Sequence, residues 1–379
     1  MMRSHWMALI LFAAISTAAA APITTERALT DYLAQHEGQS TPLDALPAGA
    51  RARFLSQIHF EQDRAYPQLS DVILLQREQA KGILALFGLA ALAENPGMQW
   101  AQKPLDVPSG ISDFEARYNA YVLGTPTTSM EATFPELVKP DSLRQLSSYE
   151  LLLLLRLLQQ TQFEQQQAEH VDAVLAASEE LQHRGELPDY LRSLPRDTLL
   201  LARRFDDAQQ FAAASPDGPV TRFDNHLAGG GAAVWQQQAA TGVWQPQTID
   251  LASTRILVLA GCHISEDAVT TIENDPVLGP TFAQHARWLA APPGIENMQA
   301  VQQWNQRHPT QPMLPIHDRR QWKMLPAGWD MPTFLVIRDG QVIDQLKGWY
   351  AEGSTPREAL LAMLRRDGLL PNATEPSLR

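Results

Sequence analysis

The sequence has 379 residues, a formal net charge of -12 and a hydrophobic content of 45%, values that favour a folded protein of two ordinary domains and exclude a disordered chain. Lysine and arginine are scattered without a basic stripe, so the sequence predicts no nucleic-acid partner. The single cysteine excludes an internal disulfide and a cysteine-rich zinc site, and the sequence predicts no cofactor and no metal.

Residues 1–20 have the pattern of a secretory signal peptide. Arg3 supplies a positive charge, residues 8–15 form a short apolar core, and the alanines at 18–20 form a small-residue cleavage site. The alternative is a membrane anchor, but the apolar core is shorter than the roughly 20 residues that cross a bilayer. The sequence therefore predicts a cleaved signal, a periplasmic protein, and no stable membrane span after cleavage.

Residues 21–214 are predicted to form a helical domain. Apolar residues recur at helical spacing in several segments, residues 50–63, 72–94, 147–160 and 163–184. Residues 199–214 resemble the second half of a tetratricopeptide-type hairpin, but no clean repeat of about 34 residues supports an array. The prediction is an all-α domain, either an irregular helical bundle or a tetratricopeptide-like array, that docks a partner protein or presents a client.

The character of the sequence changes after residue 214. Residues 215–241 contain the glycine run 229–231 followed by glutamines, so this segment is predicted to be a linker. Residues 255–260 then form a short apolar run, which predicts a buried strand. Cys262 follows this strand directly and precedes a helix predicted over residues 266–274.

The last third of the chain is predicted to be an α/β domain over residues 242–370. Its remaining predicted elements are strands at 287–290 and 313–316, helices at 297–307 and 355–366, and a tail at 371–379. Asp339 and Gly340 join two apolar strands, which predicts a hairpin because a type I′ turn needs positive φ at both central residues. The domain is expected to contain a sheet with one antiparallel edge.

This order of elements resembles the thioredoxin-like superfamily, in a monothiol Cys-x-x-Ser variant. The segment Met331–Phe334, with sequence Met-Pro-Thr-Phe, opens the hairpin as in that superfamily. The resemblance places Cys262 on the nucleophilic cysteine, Ser265 on the second cysteine, and Pro332 on a cis-proline that faces the redox cysteine. It implies a thioredoxin-like fold for the C-terminal domain. The Cys-x-x-Ser pattern also occurs in monothiol glutaredoxins, but no paired-glycine glutathione signature follows Pro332.

The predicted site has one thiol and several charged neighbours. Cys262 at the start of a helix would face free backbone N–H groups and the positive end of the helix dipole, which favour a thiolate. Glu266 and Asp267 oppose this effect, since nearby negative charge raises a thiol pKa, whereas a protonated His263 would support it. Ser265 can donate a hydrogen bond to sulfur, but a hydroxyl cannot resolve a mixed disulfide.

Two functions follow from this pattern. The first is thiol–disulfide exchange through one cysteine, by mixed-disulfide formation, disulfide shuffling or deglutathionylation. Its expected partners are protein thiols or disulfides, with glutathione as a further candidate. The predicted site residues are Cys262 and Ser265 for catalysis and Pro332, Met331 and His263 for substrate positioning. The second is a redox-silent scaffold of the same fold that mediates protein contacts in the cell envelope. Whether the protein is an enzyme stays open, and solvent access to Cys262 distinguishes the two functions because a lone cysteine is often a buried apolar residue.

Overall fold

The computed structural model describes residues 21–370 with the exception of 102, 104, 106, 108–109, 125–127, 214–220, 227–230 and 350–354. The predicted signal peptide and C-terminal tail lie outside the described residues. The chain divides into two compact units, Met1–Thr127 and Thr128–Arg379. The observed division falls after residue 127, so many of the helices belong to the same unit as the C-terminal sheet. The predicted boundaries at residues 214 and 242 stay a prediction.

The first unit is mainly helical. Its helices are α1 (Glu26–Gln35), α2 (Ala48–Ser56), α3 (Arg77–Leu86) and α4 (Asp113–Leu123), with short 3-10 helices at Pro42–Ala45, Val72–Leu74 and Ala90–Glu94. A buried charge cluster joins three segments of this unit: Arg53 contacts Asp71 at 2.9 Å and Glu115 at 3.1 Å. Because a buried charge needs partners, this cluster fixes α2 against α4.

A small hairpin departs from the all-helical prediction for this region. Strands β1 (His59–Glu61) and β2 (Arg64–Tyr66) pair antiparallel across Gln62 and Asp63. Both turn residues have positive φ, 49° and 57°, as a two-residue hairpin turn requires. Gln-Asp is an uncommon choice for such a turn, so the sequence carries no turn signal here and its apolar spacing indicates a helix instead.

The second unit begins with helices. They are α5 (Met130–Thr133), α6 (Ser148–Gln165), α7 (Val171–His183), α8 (Leu194–Leu201) and α9 (Phe205–Ala213), with 3-10 helices at Pro135–Val138, Pro140–Gln145 and Asp189–Leu191. The start of α6 is fixed by a capping box in which Ser147 Oγ accepts from Glu150 N at 3.2 Å and Glu150 Oε2 accepts from Ser147 N at 2.8 Å. Residues 151–155 are fully buried leucines, and a helix that is apolar all round belongs in a core.

The α/β part of the second unit is built on a mixed sheet. Its strands are β5 (Ile256–Leu259), β6 (Ala286–Ala290), β7 (Met313–Pro315), β8 (Thr333–Arg338) and β9 (Gln341–Lys347). Within the described residues the order across this five-stranded sheet is β7-β6-β5-β8-β9. The first three strands run parallel, and β8 and β9 are antiparallel to their neighbours. The coarse prediction, a helical N-terminal half followed by a C-terminal α/β region, is confirmed.

The central strand β5 is buried on both faces. Ile256 and Val258 pack on one side with helices α10 (His263–Glu273), α11 (Leu278–His285), α12 (Met298–Arg307) and α13 (Pro356–Arg366). Leu257 and Leu259 point to the opposite side, where Trp322 closes a second apolar cluster. Alternating side chains of a strand point to opposite faces, so burial on both sides requires the uninterrupted apolar run seen in the sequence.

The sequence predictions for this region hold closely. Asp339 and Gly340 connect β8 to β9 with φ values of 51° and 71°, so the predicted type I′ geometry is confirmed. A departure occurs in the predicted linker, where residues 233–237 form strand β3, paired antiparallel with β4 (Trp244–Thr248). Trp235 and Trp244 are buried in the core, and this burial outweighs the glycine-rich and glutamine-rich composition that suggested a linker. No helix of the described residues is long and apolar enough to cross a membrane.

Candidate functional site

Cys262 lies where the central strand ends and α10 begins. It is the N-cap residue of α10, with extended backbone dihedrals of -106° and 168°. Its carbonyl oxygen accepts from Ser265 N at 3.0 Å and Glu266 N at 3.3 Å. The residue is partly buried, neither open to solvent nor enclosed in the core. Its side chain makes no capping hydrogen bond to the N–H groups of the first helical turn.

Two polar atoms lie close to the sulfur of Cys262. Its Sγ is 3.4 Å from Ser265 Oγ and 3.6 Å from the carbonyl oxygen of Met331. Ser265 is fully buried, so its hydroxyl is held toward the sulfur rather than toward water. The peptide bond between Met331 and Pro332 is cis, and the carbonyl oxygen of Pro332 accepts from Gly348 N at 2.8 Å. The structure thus brings four of the five predicted site residues together.

The fifth, His263, does not join this group. It is exposed and makes no hydrogen bond or ion pair within the described part of the chain. The nearby carboxylates differ from each other: Glu266 forms an ion pair with Arg307 of α12, and Asp267 is exposed. Arg307 therefore compensates one of the two negative charges that the sequence places in the first turn of α10.

A carboxyl group that the sequence reasoning missed borders the site. Glu296 Oε2 lies 2.7 Å from the position that a Cβ atom would occupy on Gly261, and Met331 Sδ lies 3.0 Å from the same point. Gly261 has φ of 148°, a region that glycine adopts readily. Glu296 therefore packs against the residue that directly precedes Cys262, on the same side as Met331.

Burial raises the pKa of Glu296 from its ordinary 4.5 to about 7, and the hydrogen bond from Asn297 N only partly offsets this effect. That bond joins Asn297 N to Glu296 Oε1 at 3.1 Å. A carboxyl with such a pKa changes charge in the same range as many catalytic acids and bases. The only signal in the sequence is Gly261, because a glycine leaves room for a neighbouring group. Glu296 itself lies in a loop between predicted elements, so the sequence does not predict where it packs.

Comparison with known proteins finds no matching family model, no matching curated protein and no matching solved structure. Among the described residues, no cluster of histidine, cysteine, aspartate and glutamate is arranged to hold a metal ion. The groups of the site are the thiol of Cys262, the buried hydroxyl of Ser265, the backbone carbonyl of Met331, and the Glu296 carboxyl, which packs against Gly261.

Proposed function

We propose that this chain is an exported, periplasmic, thioredoxin-like protein that acts in thiol–disulfide exchange through Cys262. The proposal rests chiefly on one observation: the sulfur is partly accessible at the start of α10 and faces the residues around the cis Met331–Pro332 bond. Support for the thioredoxin-like fold comes from the order of elements, in which a central strand leads into the cysteine and helix and an antiparallel hairpin follows Pro332.

The exchange proceeds in two steps that use different thiols. The thiolate of Cys262 attacks one sulfur of a client disulfide, the S–S bond breaks, and the other client sulfur leaves as a thiolate. Ser265 cannot carry out the second step, because its hydroxyl does not attack a disulfide. An outside thiol, from a protein or from glutathione, then attacks the client sulfur of the mixed disulfide, so a disulfide forms between the outside thiol and the client and Cys262 leaves as the thiolate. The outside sulfur is oxidised, one client sulfur is reduced to a thiol, and the number of disulfides is unchanged. Full reduction of the client takes a second outside thiol, which attacks the new disulfide.

One contact favours the alternative, a redox-silent scaffold in the cell envelope. The 3.6 Å approach of Cys262 Sγ to the carbonyl oxygen of Met331 suits a protonated thiol, which donates, and disfavours a thiolate, which repels the oxygen. In such a scaffold the cysteine would be a small packing residue, and the helices and the α/β region would serve only to bind other proteins.

Alkylation of the folded mature protein with iodoacetamide across pH 5 to 10 separates the two functions. Thiol–disulfide exchange predicts complete labelling without denaturant, with a midpoint below about 8.5, the value of a free cysteine. Labelling that requires denaturant, or a midpoint above that value, supports the scaffold. Cys262→Ala is the control for specificity, since Cys262 is the only cysteine of the sequence.

The variant Ser265→Cys tests the reaction directly. With 5-thio-2-nitrobenzoate disulfide as the client, the wild-type protein should accumulate one mixed disulfide that persists until glutathione is added. Ser265→Cys supplies the missing second thiol 3.4 Å from the first sulfur in the present geometry, so it should release the second aromatic thiol without glutathione. Ser265→Ala is the matched control and should behave as the wild type does. Equal release by all three proteins would contradict the proposal.

A further inference from the structure

A cavity of about 600 Å³ lies beside the α/β sheet in the second unit. Three parts of the chain form its walls: helices α8 and α9, the segment at residues 221–222 with the turn at Gly242, and the loop and helix from residue 294 to residue 302. Its size falls in the range of small-molecule sites, about 300 to 1,000 Å³. Cys262 does not line it, so the cavity is a feature separate from the sulfur itself.

The loop that carries Glu296 is fixed to α8 by a glycine contact. A Cβ atom on Gly294 would lie 2.2 Å from the carbonyl oxygen of Asp197 and 3.0 Å from Leu201 N, so the backbones of loop and helix touch. Gly294 has φ of 99°. At this point the loop and the helix, which form two walls of the cavity, meet backbone to backbone.

Charged groups of both signs line the cavity. Asp197 pairs with its neighbour Arg196 at 2.9 Å, and burial raises the pKa of Asp197. On another wall is Glu296, partly buried and without an ion-pair partner in the described residues. Arg222, from the third wall, is exposed and makes no ion pair within the described part of the chain. One carboxyl and one guanidinium thus remain for a ligand, on different walls.

Amide side chains also line the cavity. Gln209 of α9 and Gln302 of α12 line the cavity, together with Asn297 and Gln299. Primary amides both donate and accept hydrogen bonds, so they suit the alternating N–H and C=O groups of a peptide backbone. A phosphate or another pure anion fits poorly, since Glu296 and Asp197 would oppose it.

We propose that this cavity binds a short zwitterionic peptide, with its ammonium group against Glu296, its carboxylate against Arg222, and its backbone against the amide side chains. Because Glu296 also contacts Gly261, the amino end of the bound peptide lies next to the residue that precedes Cys262. Binding needs no reactive thiol. Only the step that makes the peptide a thiol or disulfide client of Cys262 rests on the proposed function.

The proposal predicts a specific pH dependence. Glu296 must be ionised to hold an ammonium group, and burial keeps it largely protonated below its pKa of about 7. Affinity should therefore rise about four- to fivefold between pH 6 and pH 8. The ionised fraction of the carboxyl rises about tenfold, while the peptide's ammonium group, with a pKa of about 7.7 to 8.0, loses about half of its protons. The other charged groups that line the cavity are Arg196, Asp197 and Arg222, and Cys262 follows Gly261, which Glu296 contacts.

The test is isothermal titration of the mature chain with di-, tri- and tetra-alanine that have free termini. The same peptides with an N-acetyl or a C-amide group are the matched ligands that lack one charge. We expect the best free peptide to bind at least tenfold more tightly than either modified form. Equal affinities for all forms, or no measurable binding at pH 8, would overturn the proposal.

Two variants assign the charges to residues. Glu296→Gln should remove both the preference over the acetylated peptide and the rise in affinity between pH 6 and pH 8. Arg222→Gln should remove only the preference over the amidated peptide. Arg27→Gln, an exposed change in α1, should change neither. Circular dichroism verifies that each variant is folded.

Cys262→Ala keeps the two proposals distinguishable. If it binds the peptides as the wild type does while wild-type Cys262 resists alkylation, the cavity site stands and thiol–disulfide exchange fails. If Cys262 is reactive and no peptide binds, the exchange proposal stands and the cavity proposal is wrong.

Discussion

Glu296 Oε2 lies 2.7 Å from the point where a side chain on Gly261 would begin. This approach connects the cavity to the segment that carries the thiol, because Glu296 lines the cavity and Gly261 directly precedes Cys262 in the sequence. Glu296 thus contacts both the cavity and the segment that carries the thiol, and occupancy of the cavity is expected to depend on this carboxyl.

Gly261→Ala should move Glu296 rather than unfold the protein. The new methyl group would meet Glu296 Oε2 and Met331 Sδ, both at the free ends of flexible side chains, so the side chains can swing away. The remaining cost comes from φ of 148° and should be about 1 to 3 kcal/mol, as measured by urea denaturation followed by tryptophan fluorescence. Gly340→Ala, with φ of 71° and open space around it, is the control for backbone cost alone.

The same substitution should also shift the titration of Glu296. A carboxyl displaced toward water loses the desolvation that raises its pKa, so stability should depend less on pH in Gly261→Ala than in the wild type. A double-mutant cycle with Glu296→Gln measures this coupling. Additive effects of the two substitutions would show that Gly261 does not hold the carboxyl in place.

Gly294→Ala should be more damaging than Gly261→Ala. Its methyl group would meet the backbone of α8, with Asp197 O at 2.2 Å and Leu201 N at 3.0 Å, and a backbone cannot swing aside. Overpacking costs about 1 to 3 kcal/mol, and it adds here to the backbone cost at positive φ. We expect a loss of stability at least about 1 kcal/mol larger than for Gly261→Ala. A smaller loss would mean that the loop separates easily from α8.

Much of the α/β architecture was readable from the sequence, whereas the carboxyl beside the thiol was not. The buried run before Cys262 and the Asp339–Gly340 turn each carry a local signal, because burial on two faces and positive φ restrict the residue types. Glu296 carries none: its position depends on how a loop packs against Gly261 and α8. Strand β3 is not predictable for a related reason. Its segment is rich in glutamine, and the strand is held in place by the burial of Trp235 in the core.

Glu296 should make the wild-type protein less stable as pH rises. Its folded-state pKa of about 7 exceeds its ordinary 4.5, so the folded protein binds more protons than the unfolded chain between these values. Stability is therefore highest below about pH 4.5 with respect to this group and falls until about pH 7. Glu296→Gln is neutral at every pH and should be more stable than the wild type at pH 8, by at most about 3 kcal/mol.

Urea denaturation of both proteins at pH 4.5, 6 and 8 measures that difference. The advantage of Glu296→Gln should be near zero at the lowest pH and should grow through the window. Glu37→Gln, at an exposed position in the turn that follows α1, is the control and should follow the wild type. A constant difference at all three pH values would mean that Glu296 is solvated in the folded protein.

Cys262→Ala should leave the stability of the fold nearly unchanged. The sulfur is only partly buried, its contacts with Ser265 Oγ and the Met331 carbonyl oxygen are long, and its N-cap position makes no side-chain capping bond. Loss of the sulfur should thus cost no more than about 1 kcal/mol in urea denaturation. Leu259→Ala, in the fully buried strand just before it, should cost about 2 to 5 kcal/mol and shows that the assay detects core damage. A comparable loss for Cys262→Ala would make the cysteine a packing residue and would favour the scaffold.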